Sequence, residues 1–312
     1  MAFWTTRDIA DQTGRTFLVT GANSGLGYLT SLEVARRGAH VLMTARNQTK
    51  GIQAIQRIRS LVPDAKVELR LLDLADLAAV KSFAQQIIDD GTPVDVLVNN
   101  AGVMMPPRSL TRQGFEMQFG VNHLAHFALT ALLIERLQKG NDPRVVTLSS
   151  DLHKRGRIHY EDLDGAKKYG RISFYAQSKF ANTLFGLELD RRLRAVGNPV
   201  RSLLAHPGYA ATNLQLSGPT GFLNVFMRIG NRFIAQSAEM GVLNQLYAAT
   251  EPGVESGQFI GPDGRNEMKG YPTLVQPIGA AQDIADAGRL WRLSEELTNV
   301  RPDLGTLSEQ VG

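Results

Sequence analysis

Thr16-Phe17-Leu18-Val19-Thr20-Gly21-Ala22-Asn23-Ser24-Gly25-Leu26-Gly27 is the stretch that decides the fold. Its first five residues form a short apolar run with β-branched members, bounded by Gly14 and Gly21. Such a run reads as a buried parallel strand. The remainder is a glycine-rich turn. Gly21 suits a tight exit from the strand, Gly25 a close approach of backbone to a phosphate, and Gly27 tight packing of helix on sheet. Tyr28–Arg37 then shows helical spacing and stops at Gly38, which turns the positive end of a helix dipole toward the glycines. His40–Ala45 is a second strand. Strand, turn, helix and strand make a βαβ unit.

Working outward, the alternation repeats. Helices are expected at Gln48–Leu61 (Ile52, Ile55 and Ile58 on one side), Leu77–Asp89, Phe115–Gln138, Phe174–Val196 and Ala280–Leu297. Strands are expected at Lys66–Leu72, Val94–Val98, Arg144–Leu148, Val200–Ala205 and Gln258–Ile260. About seven strands alternating with helices imply an α/β chain, doubly wound, with a mostly parallel sheet and helices on both faces. No linker, repeat or low-complexity segment breaks the rhythm, so one domain is expected over residues 1–312, with its core at 14–261 and a C-terminal helix and tail at 280–312. Two segments, Asp151–Ile172 and Leu214–Ser237, follow carboxyl ends of strands, where open α/β sheets bind ligands.

Composition narrows the class. Of the 312 residues 43% are hydrophobic, enough for a sizeable core, and none is cysteine, which excludes disulfides and thiolate metal sites. No apolar run approaches the roughly 18 residues of a membrane span. Met1–Thr13 is polar and charged, unlike a signal or transit peptide, so a soluble cytoplasmic protein is expected. The net charge of +4 is mild and scattered, and gives no nucleic-acid footprint. Its distribution says more: no Asp or Glu lies between Val34 and Pro63, nor between Arg191 and Ala238.

That first gap bears on the choice of dinucleotide. An NAD site places a carboxylate near the end of the second strand, on the adenosine ribose. Arg46 stands there instead, with Asn47 beside it. A guanidinium suits a 2′-phosphate and stacks on adenine, so NADP(H) is the expected cofactor. Asp73, after the third strand, can accept from the adenine amino group and cap the next helix.

Tyr175 and Lys179, in Tyr175-Ala176-Gln177-Ser178-Lys179, stand four residues apart. On a helix both side chains share a face, and a fixed ammonium draws a phenol's pKa down from about 10, making Tyr175 a usable general acid/base. Thr20-Gly21-x-x-x-Gly25-x-Gly27, Asn99-Asn100-Ala101-Gly102, Asn122, Ser150, Tyr175-x-x-x-Lys179 and Pro207-Gly208 together resemble the short-chain dehydrogenase/reductase superfamily, over roughly residues 14–261 and in the family order. Asn122-His123-Leu124-Ala125-His126-Phe127, the 25-residue separation of Ser150 from Tyr175, and Gly261-Pro262-Asp263-Gly264 look like its retinol dehydrogenase and WW-domain oxidoreductase branch.

The resemblance implies a Rossmann-like sheet and a set of roles. Tyr175 exchanges the proton with the substrate oxygen, and Lys179 holds the nicotinamide ribose and lowers the Tyr175 pKa. Ser150, rather than its neighbour Ser149, hydrogen-bonds that oxygen, and Asn122 holds a water of the proton relay. Cofactor contacts are implied for Gly21, Asn23, Ser24, Gly25, Leu26 and Gly27, for Arg46, Asn47, Asp73 and Leu74, for Asn100, Ala101 and Gly102, for Tyr175 and Lys179, and for Pro207, Gly208 and Thr212. Self-association follows family habit. A catalytically silent NADP(H)-sensing protein and a C=C reductase are competing readings on the same fold.

On the substrate side, Phe222, Val225, Phe226, Ile229 and Phe233 recur at helical spacing beside Arg228 and Arg232. They read as a lid helix over residues 214–237, facing a lipophilic alcohol or carbonyl or lying on a membrane surface. Met104-Met105-Pro106-Pro107 is expected to wall the pocket. His123 and His126 sit three apart on one helix, without a third ligand that would suggest a metal.

Overall fold

A computed structural model describes residues 3–209 and 237–305. Eight strands are present among the described residues: β1 (Thr16–Val19), β2 (His40–Ala45), β3 (Lys66–Leu71), β4 (Val96–Asn99), β5 (Arg144–Leu148), β6 (Arg201–Ala205), β7 (Phe259–Pro262) and β8 (Pro272–Val275). They form one sheet in the order β3-β2-β1-β4-β5-β6-β7-β8. All neighbours are parallel except β7 and β8, which are antiparallel. The sheet therefore has one strand more than the seven expected. The extra strand has only four residues and opens on a proline, so neither its length nor its composition marks it.

The seven longest helices among the described residues are α1 (Gly25–Arg36), α2 (Gln48–Leu61), α3 (Leu77–Asp89), α4 (Ala125–Leu137), α5 (Arg171–Ala195), α6 (Leu243–Thr250) and α7 (Ile284–Thr298). Alternate residues of one strand serve the two faces. Phe17 and Val19 of β1 pack with Leu32, Ile55 and Leu246, from α1, α2 and α6. Leu18 faces Val80, Phe127 and Trp291, from α3, α4 and α7. Each fully buried side chain of this size contributes roughly 1.5–3 kcal/mol. Strands β1, β2, β4, β5 and β6 are thus buried on both faces, which is why they read as hydrophobic runs, whereas the edge strand β3 is exposed at Lys66 and Leu71.

Several boundaries differ from the sequence reading. Helix α1 begins at Gly25 rather than Tyr28, because the glycine turn runs directly into the first helical turn. The helix expected from Phe115 starts at Met117 and passes through a π-turn, Gly120–Leu124, before α4. The last helix begins at Ile284, capped by Asp283, after a 3₁₀ turn at Gly279–Gln282. The buried stripe of α2 is Gly51, Ala54, Ile55 and Ile58. Ile52 falls off that stripe and is 43% exposed.

The stretch Met117–Leu137 is long and apolar enough to cross a membrane by length and composition, contrary to expectation, yet 89% of its window is buried inside the fold. Thr212 and the lid expected at 214–237 lie outside the described residues, save Ser237, which caps the turn Ala238–Gly241.

The order β2-β1-β4 makes a topological switch point. Strand β1 returns to one side toward β2, and β4 lies on its other side. The carboxyl ends of β1 and β4 therefore open the crevice in which such sheets bind ligands.

Candidate active site

Two turns meet at the switch point, one after β1 and one after β4. The Thr20 hydroxyl laces them, accepting the backbone N–H of Asn100 and of Ala101, each at 2.9 Å. The Asn100 amide donates back to the Thr20 carbonyl at 2.7 Å. Gly21 takes a left-handed φ of 64°, and a Cβ there would stand 2.9 Å from that of Ala101. A Cβ on Gly27 would stand 2.6 Å from the Gly21 carbonyl oxygen. Only glycine fits, so the turn keeps bare backbone at the mouth of the crevice, a shape that suits a pyrophosphate.

Asn23, Ser24 and Leu26 are half-buried along this turn. Ser24 is the N-cap of α1 without a side-chain capping bond. Arg46 is exposed one residue beyond β2, and no ion pair engages it among the described residues. Asn47 spends its side-chain oxygen on capping α2, accepting from the Lys50 N–H at 2.9 Å. Asp73 is not the cap of α3: it closes a local turn to the Ala75 N–H, and Asp76 caps the helix through Ala78. The Leu74 side chain belongs to the core.

Across the crevice, α5 presents Tyr175 and Lys179 one turn apart, both buried. The Tyr175 ring packs with Met104, Met105 and Leu152. Ser150 hydrogen-bonds the phenol, and its own oxygen caps the turn Asp151–Arg155 by accepting the Leu152 N–H. Ser149 turns inward instead, donating to the Lys179 carbonyl at 2.9 Å. The geometry thus puts the second serine at the phenol. Asn122 clasps the backbone of Val103 through both side-chain atoms, at 2.8 and 3.0 Å, and donates to Ser178 at 2.9 Å.

The electrostatics differ from the expectation set by spacing. Burial pushes the Tyr175 phenol up to about 12, against the hydrogen bond from Ser150. Burial also draws Lys179 down to about 8. The ammonium is 5.8 Å from the phenol ring centre and donates to the Leu148 carbonyl at 3.0 Å. Desolvation of the phenolate form outweighs an ammonium aimed elsewhere.

The short chain dehydrogenase family model matches residues 15–219. The chain belongs to the short-chain dehydrogenase/reductase superfamily. It is an oxidoreductase of the retinol dehydrogenase-like branch. Over 92% of its length it is 37% identical to retinol dehydrogenase 14 of Mus musculus, covering 86% of that protein. Retinol dehydrogenase 13 of Homo sapiens is 39% identical over 92% of the chain and 85% of that protein. Among solved structures, an uncharacterized protein from Mycobacterium paratuberculosis is 42% identical, with a TM-score of 0.81, over 96% of this chain and 99% of its own. A short chain dehydrogenase from Burkholderia cenocepacia J2315 in complex with NADP shares the fold at 23% identity and a TM-score of 0.62, over 80% of this chain and 96% of its own.

In this short-chain dehydrogenase one wall of the crevice escaped the sequence reading. Lys154 bridges Asp151 at 2.8 Å and Glu267 at 2.9 Å. Glu267 also accepts from the ring Nε2 of buried His206 at 3.1 Å, whose Nδ1 takes the Gly208 N–H at 3.3 Å. Gly208 itself has a φ of 63°, with no room for a Cβ beside Met268 and Pro262. The hydrogen bond from His206, then that from Lys154, hold the Glu267 carboxyl down at about 2. Glu267 comes from the β7–β8 hairpin, more than a hundred residues from Lys154, and no local motif announces the meeting. Pro207, Gly208 and Tyr209 line the same cavity of about 780 Å³ that holds Tyr175, Ser150 and Lys179.

Proposed function

We propose that the chain is an NADP(H)-dependent oxidoreductase acting on a lipophilic alcohol/carbonyl pair, with Tyr175 as general acid/base. The observation that carries this reading is the buried phenol. Tyr175 faces a large cavity, hydrogen-bonded by Ser150 and flanked by Met104, Met105 and Leu152.

The bare turn from Gly21 to Gly27 would take the pyrophosphate, and Arg46 the 2′-phosphate, on the carboxylate-free stretch from Val34 to Pro63. Asn100, Ala101 and Gly102, then Pro207 and Gly208, border the cavity that leads to the phenol. When bound, the nicotinamide supplies the hydride. The protein's own work is placement of one proton. A phenol whose pKa lies near 12 holds its proton at neutral pH, ready to donate to a carbonyl oxygen. Ser150 is the second donor toward that oxygen and toward the phenolate left behind. Lys179, a mostly charged ammonium at neutral pH, adds positive charge to the same dry site. Met104, Met105 and Leu152 give the wall beside the phenol an apolar face, which favours an apolar substrate there. The curated relatives are named for retinol, itself a lipophilic alcohol.

The test is turnover of NADPH against NADH on a panel of apolar and small polar aldehydes and ketones. Tyr175→Phe should keep NADPH affinity within about twofold and lose roughly 10²–10⁴ in kcat. NADPH binding with no turnover on the whole panel, or a fully active Tyr175→Phe variant, would overturn the reading.

A further inference from the structure

His123 and His126 follow Asn122 on the same helical run, and the fold gives them different tasks. His123 is a core residue. Its Nε2 pairs with Ser294 of α7 at 2.8 Å, and its ring sits among Phe119, Phe127 and Phe185. His126 is buried too, but both of its nitrogens are engaged, and both partners hold backbone that borders the crevice, Thr20 at Asn100 and Ala101 and Asn122 at Val103. Nε2 lies 2.9 Å from the Thr20 hydroxyl, and Nδ1 lies 3.0 Å from the Asn122 carbonyl.

The direction of each bond follows from counting protons. A carbonyl only accepts, so His126 Nδ1 carries the proton given to Asn122. A neutral imidazole then accepts at Nε2, and the Thr20 hydroxyl gives its one proton to that nitrogen at 2.9 Å in preference to the Val98 carbonyl at 3.3 Å. The Thr20 oxygen in turn accepts the N–H groups of Asn100 and Ala101. A single polarised chain runs from the β4 turn, through Thr20 and His126, to the Asn122 carbonyl. Asn122 is also the residue whose side chain grips Val103 and, through Ser178, the helix that carries Tyr175 and Lys179. The π-turn at Gly120–Leu124 lies at this spot, with its bond from the Ala125 N–H to the Gly120 carbonyl.

We propose that His126 is a positioning residue that holds Asn122, on the proton-transfer side of the crevice, in register with the Thr20–Gly21 turn, on the dinucleotide side. This rests on the reading of the crevice as an NADP(H) site with Asn122 in the proton path. The role is distinct from packing, because it needs the two ring nitrogens separately.

The two ends can be cut one at a time. An Asn amide nitrogen falls near the place of Nδ1, and a Gln amide group near that of Nε2. His126→Asn keeps the bond to Asn122 and loses the one to Thr20. His126→Gln does the reverse. One hydrogen bond of this kind is worth roughly threefold to tenfold. His126→Asn should lose that factor mainly in NADPH dissociation constant, measured by fluorescence quenching. His126→Gln should lose it mainly in kcat. ¹⁵N NMR of the wild-type imidazole should show His126 protonated at Nδ1 and bare at Nε2. A proton at Nε2 overturns the proposal, and this measurement needs no variant to fold. Equal losses in both parameters for both variants, or a lowered Tm alone, also overturn it and return His126 to the core. A wild-type chain that turns over nothing removes the functional reading and this role together; an active wild type without the split removes this role alone.

Discussion

Replacing Glu267 by Gln removes one charge from the crevice wall while keeping its shape. The carboxyl is held at about 2, from an ordinary value of 4.5, first by the hydrogen bond from His206 and then by Lys154. Linkage converts such a drop to at most roughly 3 kcal/mol of stability. The side chain keeps a quarter of its surface in solvent, so screening reduces the expected contribution to about 1–2 kcal/mol. The backbone contributes in the opposite direction, since Asn266 and Glu267 both hold a φ of 55°. Such left-handed residues cost on the order of 1 kcal/mol each and persist only where other contacts hold them.

The sign is fixed by the lowered pKa. The stabilisation is complete above pH 4.5 and is lost as pH falls toward 2. Thermal unfolding of both proteins by circular dichroism should therefore show a Tm gap of about 1.5–3 °C at neutral pH. The gap should narrow steadily on acidification below about pH 4.5. A gap that stays constant or widens with acid would refute the assignment of the ion pair as its source.

Two further outcomes follow from the dinucleotide side. Arg46→Asp should weaken NADPH by roughly 10–100-fold, the worth of a charge-assisted phosphate contact, and weaken NADH far less; an unaltered preference would show that the 2′-phosphate is read elsewhere. Because Arg46 is exposed and unpaired among the described residues, its Tm should move little. Gly27→Ala drives a methyl group into the Gly21 carbonyl and the Asn100 amide, and should cost about 1–3 kcal/mol together with dinucleotide affinity. A wild-type Tm and NADPH affinity in that variant would mean that the turn is looser than its contacts imply.

The fold was legible where periodicity is long and glycine marks the joints. The run from Thr16 to Gly27 fixed the first βαβ unit, and the central strands β4, β5 and β6 repeated its buried character because both sheet faces are covered there. Strand β8 was not legible, being four residues that open on a proline and leave Leu274 exposed, with its pairing to β7 decided by tertiary contact. In the crevice, Gly21, Asn100, Ser150, Tyr175 and Lys179 are brought together from four separated motifs, each readable alone as a turn or a helix face. Glu267 and His206 carried no such signal, for their partnership exists only once the hairpin folds back. The electrostatics of Tyr175 were misjudged for a related reason. Spacing reports how near an ammonium lies along a helix, but not how dry the phenol is, and dryness governs here.

The β7–β8 hairpin has a further consequence for how such a chain can diversify. The family model ends at residue 219, whereas this wall of the cavity comes from residues 266–268. The glycine turn after β1 and this wall of the cavity are thus encoded in separate stretches of chain. Mutations can accumulate at the hairpin tip without touching the glycine turn. An edge strand with one neighbour also tolerates insertion better than a central strand. Selection on substrate shape can therefore proceed at the periphery of the sheet while the hydride-transfer geometry at its centre stays fixed.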